Sequence, residues 1–80
     1  MSPSNVAQEL GTMVAIEALK LIREKPRLTP AEIARAIGKD VQYTRNVLSI
    51  LQELKLVDLP ARGVYTISQH GEYLLKRITE

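Results

Sequence analysis

The sequence contains no cysteine and one histidine, His70. The missing thiols exclude disulfide frameworks, thiolate zinc sites and cysteine nucleophiles, and they agree with a reducing, cytoplasmic location. One histidine cannot assemble a zinc site with the other residues of the chain. We therefore expect no metal and a surface position for His70.

Aromatic residues are also scarce, because Phe and Trp are absent and only three Tyr occur. Hydrophobic residues nevertheless make up 45% of the chain. The core must then be built from Leu, Ile, Val and Ala, which favours helices over a β-sandwich. At 80 residues the chain is expected to form one domain, 1–80, with a modest core.

Long apolar runs are missing as well. The stretch Met13–Ile16 is far shorter than the roughly 18 residues that a membrane span requires. No basic start precedes an apolar run at the N-terminus, so we expect a soluble protein that is neither exported nor bound to a membrane. The formal net charge of +2 permits nucleic-acid binding without demanding it.

Apolar periodicity predicts a first helix over 6–25, after a flexible segment 1–5. Gaps of three and four residues separate the apolar positions Val6, Leu10, Met13, Val14, Ala18, Leu21 and Ile22. Pro26 is expected to end this helix.

Capping signals delimit two further helices within 29–55. Thr29 and Glu32 form a capping box around Pro30, and Gly38 suits a left-handed helix end. Asp40 then caps a longer helix whose Thr44, Leu48 and Leu51 are expected to face the core, after a three-residue turn.

The remainder predicts a hairpin over 56–67, with turn residues from Pro60 to Gly63, and a last helix over 68–79. Ser68 is expected to cap that helix, whose apolar residues are Tyr73, Leu74, Leu75 and Ile78. The fold is therefore predicted to be mainly α with a small two-stranded β-hairpin, in the order α-α-α-β-β-α.

The stretches LTPAEIARAIGKDVQYTRNVLSILQELKLV and GVYTISQHGEYLLKRI resemble the helix-turn-helix and the wing with its following helix of winged-helix transcriptional regulators. The MarR, PadR and Rrf2 groups are the most similar in character. Tyr43, Gly63 and Tyr65 resemble Rrf2 regulators, yet the cysteines that hold iron and sulfur in many of those proteins are absent. The resemblance implies a DNA-binding regulator with a recognition helix from about Asp40 to Leu54.

The resemblance places early residues of the recognition helix on base edges, and periodicity agrees for most of them. The candidates are Val41, Gln42, Tyr43, Arg45, Asn46 and Ser49. Arginine suits guanine, and asparagine or glutamine suits adenine. The alternative is a merely solvated polar face, and Tyr43 could instead contact a phosphate, a thymine methyl or the neighbouring helix.

Four residues outside that helix are candidates for phosphate contacts: Arg62 at the wing tip, Lys39 in the turn, Arg35 in the second helix and Thr29 at its start. Arg62 could equally be an ordinary turn arginine. Thr29 could serve only as a helix cap.

The first helix is longer than a three-helix core needs, which leaves apolar surface for a second copy. The candidate dimer-interface residues are Val6, Leu10, Met13, Leu75 and Ile78. The alternative is that this face packs on the last helix of the same chain.

We therefore expect a sequence-specific regulator of double-stranded DNA, a homodimeric, nucleoid-associated repressor without a cofactor. No nucleophile with a base, phosphate loop or paired carboxylates in a familiar context occurs, so we expect no enzyme. The main alternative is a winged-helix module that docks proteins in a multisubunit complex. Non-specific chromatin or single-strand binding ranks last, since stacking aromatics are scarce.

Overall fold

A computed structural model describes the backbone of residues 3–79 and the side chains of residues 11–78. It consists of four helices and one hairpin, which confirms the predicted fold class. In chain order the elements are α1 (Pro3–Glu24), α2 (Pro30–Ile37), α3 (Val41–Glu53), β1 (Val57–Ala61), β2 (Val64–Ile67) and α4 (Gln69–Thr79). None of the helices within this part of the chain has the length and apolarity that crossing a bilayer requires.

Helix α1 begins at Pro3, earlier than the predicted start at residue 6, so residues 3–5 belong to it. Proline suits a first helical turn, because its missing N–H would have no intrahelical acceptor there. The helix ends at Glu24, just before Pro26. In the loop that follows, the backbone N–H of Arg27 donates to the carbonyl oxygen of Tyr65 in β2 (3.4 Å).

The predicted caps of α2 and α3 are confirmed. The Thr29 hydroxyl accepts from the Glu32 amide, and the Glu32 carboxylate accepts from the Thr29 amide. Gly38 ends α2 with φ 70°, a left-handed conformation that costs an L side chain about 1–2 kcal/mol. Residues 38–40 therefore form a tight turn between two well-defined helix ends.

The hairpin differs from the prediction at Pro60, which lies inside β1 rather than in the turn. Asp58 pairs with Thr66 and Ala61 with Val64, so one extra residue of β1 bulges between these pairs. A bulge in a two-stranded sheet tolerates a residue without an N–H. The turn itself is then only Arg62 and Gly63, with Gly63 at φ 73°.

The start of α4 is bound to the end of the α3–β1 connection. The Ser68 hydroxyl accepts from the Gly71 amide (2.9 Å), as its capping role predicts, and donates to the Lys55 carbonyl oxygen (2.7 Å). The Ser68 amide donates to the Leu56 carbonyl oxygen (3.1 Å). These bonds hold α4 against the base of the wing.

One aliphatic core joins all the elements, as the shortage of aromatics predicts. Its buried hydrophobic residues are Val14, Ala18, Leu19, Ile22, Ile33, Ala34, Val47, Leu48, Leu51, Leu56, Val57 and Leu75. Two residues of α4 depart from their predicted roles. Tyr73 is 60% exposed rather than part of the apolar face, and Leu75 is fully buried within its own chain.

Candidate nucleic-acid interface

Helix α3 has a buried side and an exposed polar side. Thr44, Leu48 and Leu51 are buried, as predicted, and Val47 joins them. At 100° per residue the opposite side is formed by Gln42, Asn46 and Ser49, with Arg45 beside them. All four are exposed, so none of the residues that the structure describes covers these side chains.

Asp40 fixes the first turn of α3. Its carboxylate accepts from the backbone amides of Gln42 (2.9 Å) and Tyr43 (3.3 Å). The Thr44 hydroxyl, which is buried, donates to the Asp40 carbonyl oxygen (2.9 Å). The end of α3 that a major groove would receive therefore has a well-defined backbone.

Two of the candidate base-reading side chains contact each other. The Gln42 Nε2 group donates to Asn46 Oδ1 over 3.1 Å. Residues four apart lie one above the other on a helix, so this pair forms along the exposed face of α3. The sequence analysis did not predict a hydrogen bond between these two side chains.

Tyr43 lies 39% exposed at one edge of the polar face, together with two apolar residues that the sequence analysis did not single out. Ile50 is 55% exposed and Leu54 is 57% exposed. Helical spacing aligns Tyr43, Ile50 and Leu54, and we call them the apolar edge of α3. Only the packed structure shows which apolar positions of α3 stay uncovered. Val41, 36% exposed, lies apart from this edge.

Arg45, Arg62 and Lys39 have no acidic partner in the part of the chain that the structure describes. Arg45 and Arg62 are exposed, and neither makes an ion pair or hydrogen bond within the described residues. Arg62 occupies the first position of the two-residue hairpin turn, at the tip of the wing. Lys39 is exposed in the turn before α3. These side chains can therefore meet phosphates without first breaking a contact.

Thr29 serves as a helix cap, the alternative role that the sequence analysis gave it, and Arg35 lies exposed on α2. Both the amide and the hydroxyl of Thr29 donate to the Glu32 carboxylate (3.0 and 2.9 Å), so Thr29 is a helix cap with no donor left for a phosphate. Those bonds, first the backbone one, hold the pKa of Glu32 below its usual range, helped by the Arg35 charge. Arg35 lines a shallow groove between α1 and α2 with Lys25 and Leu28.

The candidate dimer-interface residues separate into three groups. Leu75 is fully buried in the core of its own chain, so it is corrected to a core residue that no partner can reach. Met13 and Ile78 are 59% and 46% exposed. Val6 and Leu10 lie outside the residues whose side chains the structure describes.

The described residues contain no cluster of three or more His, Asp or Glu side chains that could hold a metal ion. His70 is exposed, as predicted.

Comparison with solved structures places this geometry among known folds. The MarR family protein Rv2887 of Mycobacterium tuberculosis shares 26% identity with a TM-score of 0.73, covering 80% of this chain. T. acidophilum IdeR shares 26% identity with a TM-score of 0.74 over the same fraction. Rv2887 in complex with DNA matches 96% of this chain at 21% identity, with a TM-score of 0.73.

The chain is a winged helix-turn-helix domain. Its predicted resemblance to winged-helix transcriptional regulators is confirmed. This winged-helix domain spans 48% of the Rv2887 chain and 32% of the IdeR chain. No model of a known protein family matches the sequence, and neither does any curated protein sequence.

Proposed function

We propose that this winged-helix domain is a sequence-specific transcriptional regulator that inserts α3 into the major groove of double-stranded DNA. One observation carries the proposal: the polar face of α3 is exposed and uncovered beside a hairpin with an arginine at its tip. The likeness to Rv2887, whose structure in complex with DNA has been solved, supports the same use of the fold.

The side chains then divide the work by chemistry. Arg45 suits the O6 and N7 acceptors of guanine, and Asn46 or Gln42 suits adenine. Ser49, Val41 and Tyr43 flank these readers and complete the contact with the groove. Arg62 reaches a phosphate or the minor groove from the wing. Lys39 and Arg35 add phosphate contacts that contribute less to the binding affinity.

Two arginine substitutions test the proposal by fluorescence anisotropy on duplex DNA at two salt concentrations. Arg45→Ala should lose about 1–3 kcal/mol at a preferred site and little on random duplex. Arg62→Ala should weaken binding to all duplexes similarly and lower the salt slope by about one charge. Lys20→Ala, which removes an exposed charge from α1, serves as the matched control.

Equal affinities of the parent, Arg45→Ala and Arg62→Ala proteins for every duplex would contradict DNA binding through this face. If Lys20→Ala lost as much affinity as Arg45→Ala, the loss at Arg45 would reflect the net charge of the protein and not a contact made by α3.

The same proposal includes a homodimer formed through α1 and the end of α4. Helix α1 has 22 residues and is about 33 Å long. Among the residues whose side chains the structure describes, Met13 of α1 and Ile78 of α4 leave apolar surface exposed. A two-fold dimer would set two recognition helices roughly 34 Å apart, on successive major-groove turns.

Molar mass in solution tests the dimer. The parent should have twice the 9.0 kDa mass of one chain. Met13→Lys should lower the measured mass towards that of a single chain. Leu59→Lys, which alters an exposed apolar residue of the wing, should leave the mass unchanged. A parent protein of single-chain mass at working concentration contradicts the dimer.

We further propose that the dimer represses transcription by occupying its site, and that it lies on the nucleoid in the cytoplasm. Expression of a reporter gene placed behind the preferred site should rise when Arg45→Ala replaces the parent protein. A fall in the reporter would instead indicate activation.

The apolar edge of α3 favours a second candidate function, docking on a protein within a multisubunit complex. Ile50 and Leu54 are each more than half exposed, and the acidic Glu53 and Asp58 lie nearby in the chain. Acidic neighbours oppose phosphates but suit a protein partner. Absence of salt-dependent binding to duplex DNA would favour this second function.

A further inference from the structure

The bond between Gln42 and Asn46 assigns different roles to the two amides. We propose that Asn46 reads an adenine in the major groove and that Gln42 is the positioning residue that orients it. This inference rests on the proposed function and identifies one base of the target.

The hydrogen-bond inventory of Asn46 carries the first step. Its Oδ1 accepts one bond from Gln42 Nε2 (3.1 Å) and keeps a second lone pair. Its Nδ2 group has two hydrogens and no acceptor within the described residues. Asn46 therefore presents one acceptor and one donor side by side, which is the complement of adenine N6–H and N7.

The bond also couples the orientations of the two amides. If the Asn46 amide alone rotated by half a turn, its Nδ2 donor would face the Gln42 Nε2 donor, and a bond would persist only if the Gln42 amide rotated as well. The backbone of Gln42 is fixed by the cap, since its amide donates to the Asp40 carboxylate (2.9 Å). With Gln42 donating, Asn46 keeps the orientation whose second Oδ1 lone pair and Nδ2 hydrogens are left for adenine.

Such a bond is weak while water competes for it and becomes stronger when the helix enters a desolvated groove. Positioning by Gln42 should therefore affect DNA discrimination and leave the free protein unchanged. Gln42 and Asn46 are both exposed, so substitutions at either position should not disturb the core.

The test compares adenine with 7-deazaadenine, which retains the N6 amine and replaces N7 by C–H. The parent protein first selects a preferred duplex from a randomised library, and each adenine of that duplex is then replaced in turn. We expect one adenine at which the parent loses about three- to tenfold in affinity. Asn46→Ala should reduce that ratio to about one.

The Gln42 variants separate positioning from direct reading. Gln42→Met has a similar length and no donor, and it should lose most of the adenine-to-7-deazaadenine ratio. Gln42→Lys can again donate to Asn46 Oδ1, and it should retain the ratio whatever its charge does to overall affinity. The double variant Gln42→Met with Asn46→Ala should match Asn46→Ala alone.

Three results would overturn the inference while DNA binding stands: a parent with no adenine sensitive to 7-deaza replacement, a Gln42→Met protein with the full ratio, or additive losses in the double variant. A parent that enriches no duplex at all overturns the proposed function, and the inference fails with it.

Discussion

Gly71 offers the sharpest test of how α4 is joined to the wing. It is buried in the first turn of α4, where a Cβ atom would overlap the Leu56 carbonyl oxygen and lie 2.9 Å from Cγ1 of Ile67. The obstacle at Leu56 is backbone, so no side-chain rotation relieves it. Gly71→Ala must therefore displace α4 or the β1 connection.

The expected loss follows from three terms. Overpacking costs about 1–3 kcal/mol, and displacement of α4 weakens the Ser68 cap, which contributes about 1 kcal/mol. The higher helix propensity of alanine returns about 1 kcal/mol. We expect a net loss of about 1–3 kcal/mol in the free energy of unfolding, or roughly 5–20 °C in the melting temperature of a domain of this size.

Two other glycines provide matched controls in urea unfolding followed by far-UV circular dichroism. Gly11→Ala adds its methyl to open space within α1 and should stabilise by about 0.5–1 kcal/mol. Gly38→Ala also meets open space, but its φ of 70° should cost about 1–2 kcal/mol. A Gly71→Ala protein as stable as the parent would refute the close approach of α4 to Leu56.

Three further predictions concern the core and the caps. Leu48→Ala, at a fully buried site of α3, should lower the free energy of unfolding by about 2–5 kcal/mol. Ile50→Ala on the exposed side should change it by less than about 0.5 kcal/mol. Equal losses would contradict the orientation of α3. Ser68→Ala should cost about 1 kcal/mol and Ser68→Thr much less, because threonine keeps the capping hydroxyl; the same urea assay checks this, and equal stability of all three proteins would contradict the cap. The folded pKa of Glu32 lies below its ordinary 4.5, so ionised Glu32 stabilises the fold above that pH and loses this contribution as the pH falls through the lowered value. The stability of the parent relative to Glu32→Gln should therefore decline on acidification, and a difference that does not change with pH would contradict it.

The helix boundaries set by local chemistry could be predicted from the sequence. Thr29, Gly38 and Asp40 act on backbone groups within four residues, so their spacing already contains the geometry. The buried side of α3 followed from helical period in the same way. The start of α1 could not be placed as well, because the polar residues after Pro3 carry no apolar period.

Features that depend on contacts between distant segments escaped prediction. The place of Pro60 inside β1 depends on the pairing register with β2. One extra residue of β1 shifts that register between Asp58 and Ala61. The burial of Leu75 depends on how α4 packs on α1, and a hydrophobic period alone does not distinguish a core face from an interface. The Gln42–Asn46 bond has a predictable spacing, but its formation depends on the rotamers of both side chains.

The amino-acid sequence by itself determined the order of the elements, the caps and the side of α3 that turns inward, because these follow from hydrogen bonds and apolar spacing within one or two turns. Only the tertiary structure decided that Gly71 must remain a glycine, that Leu75 is unavailable to a partner and that Ile50 and Leu54 stay uncovered. Those outcomes depend on which surfaces meet after the helices and the hairpin have packed, and steric exclusion between segments far apart in the chain is set only at that stage.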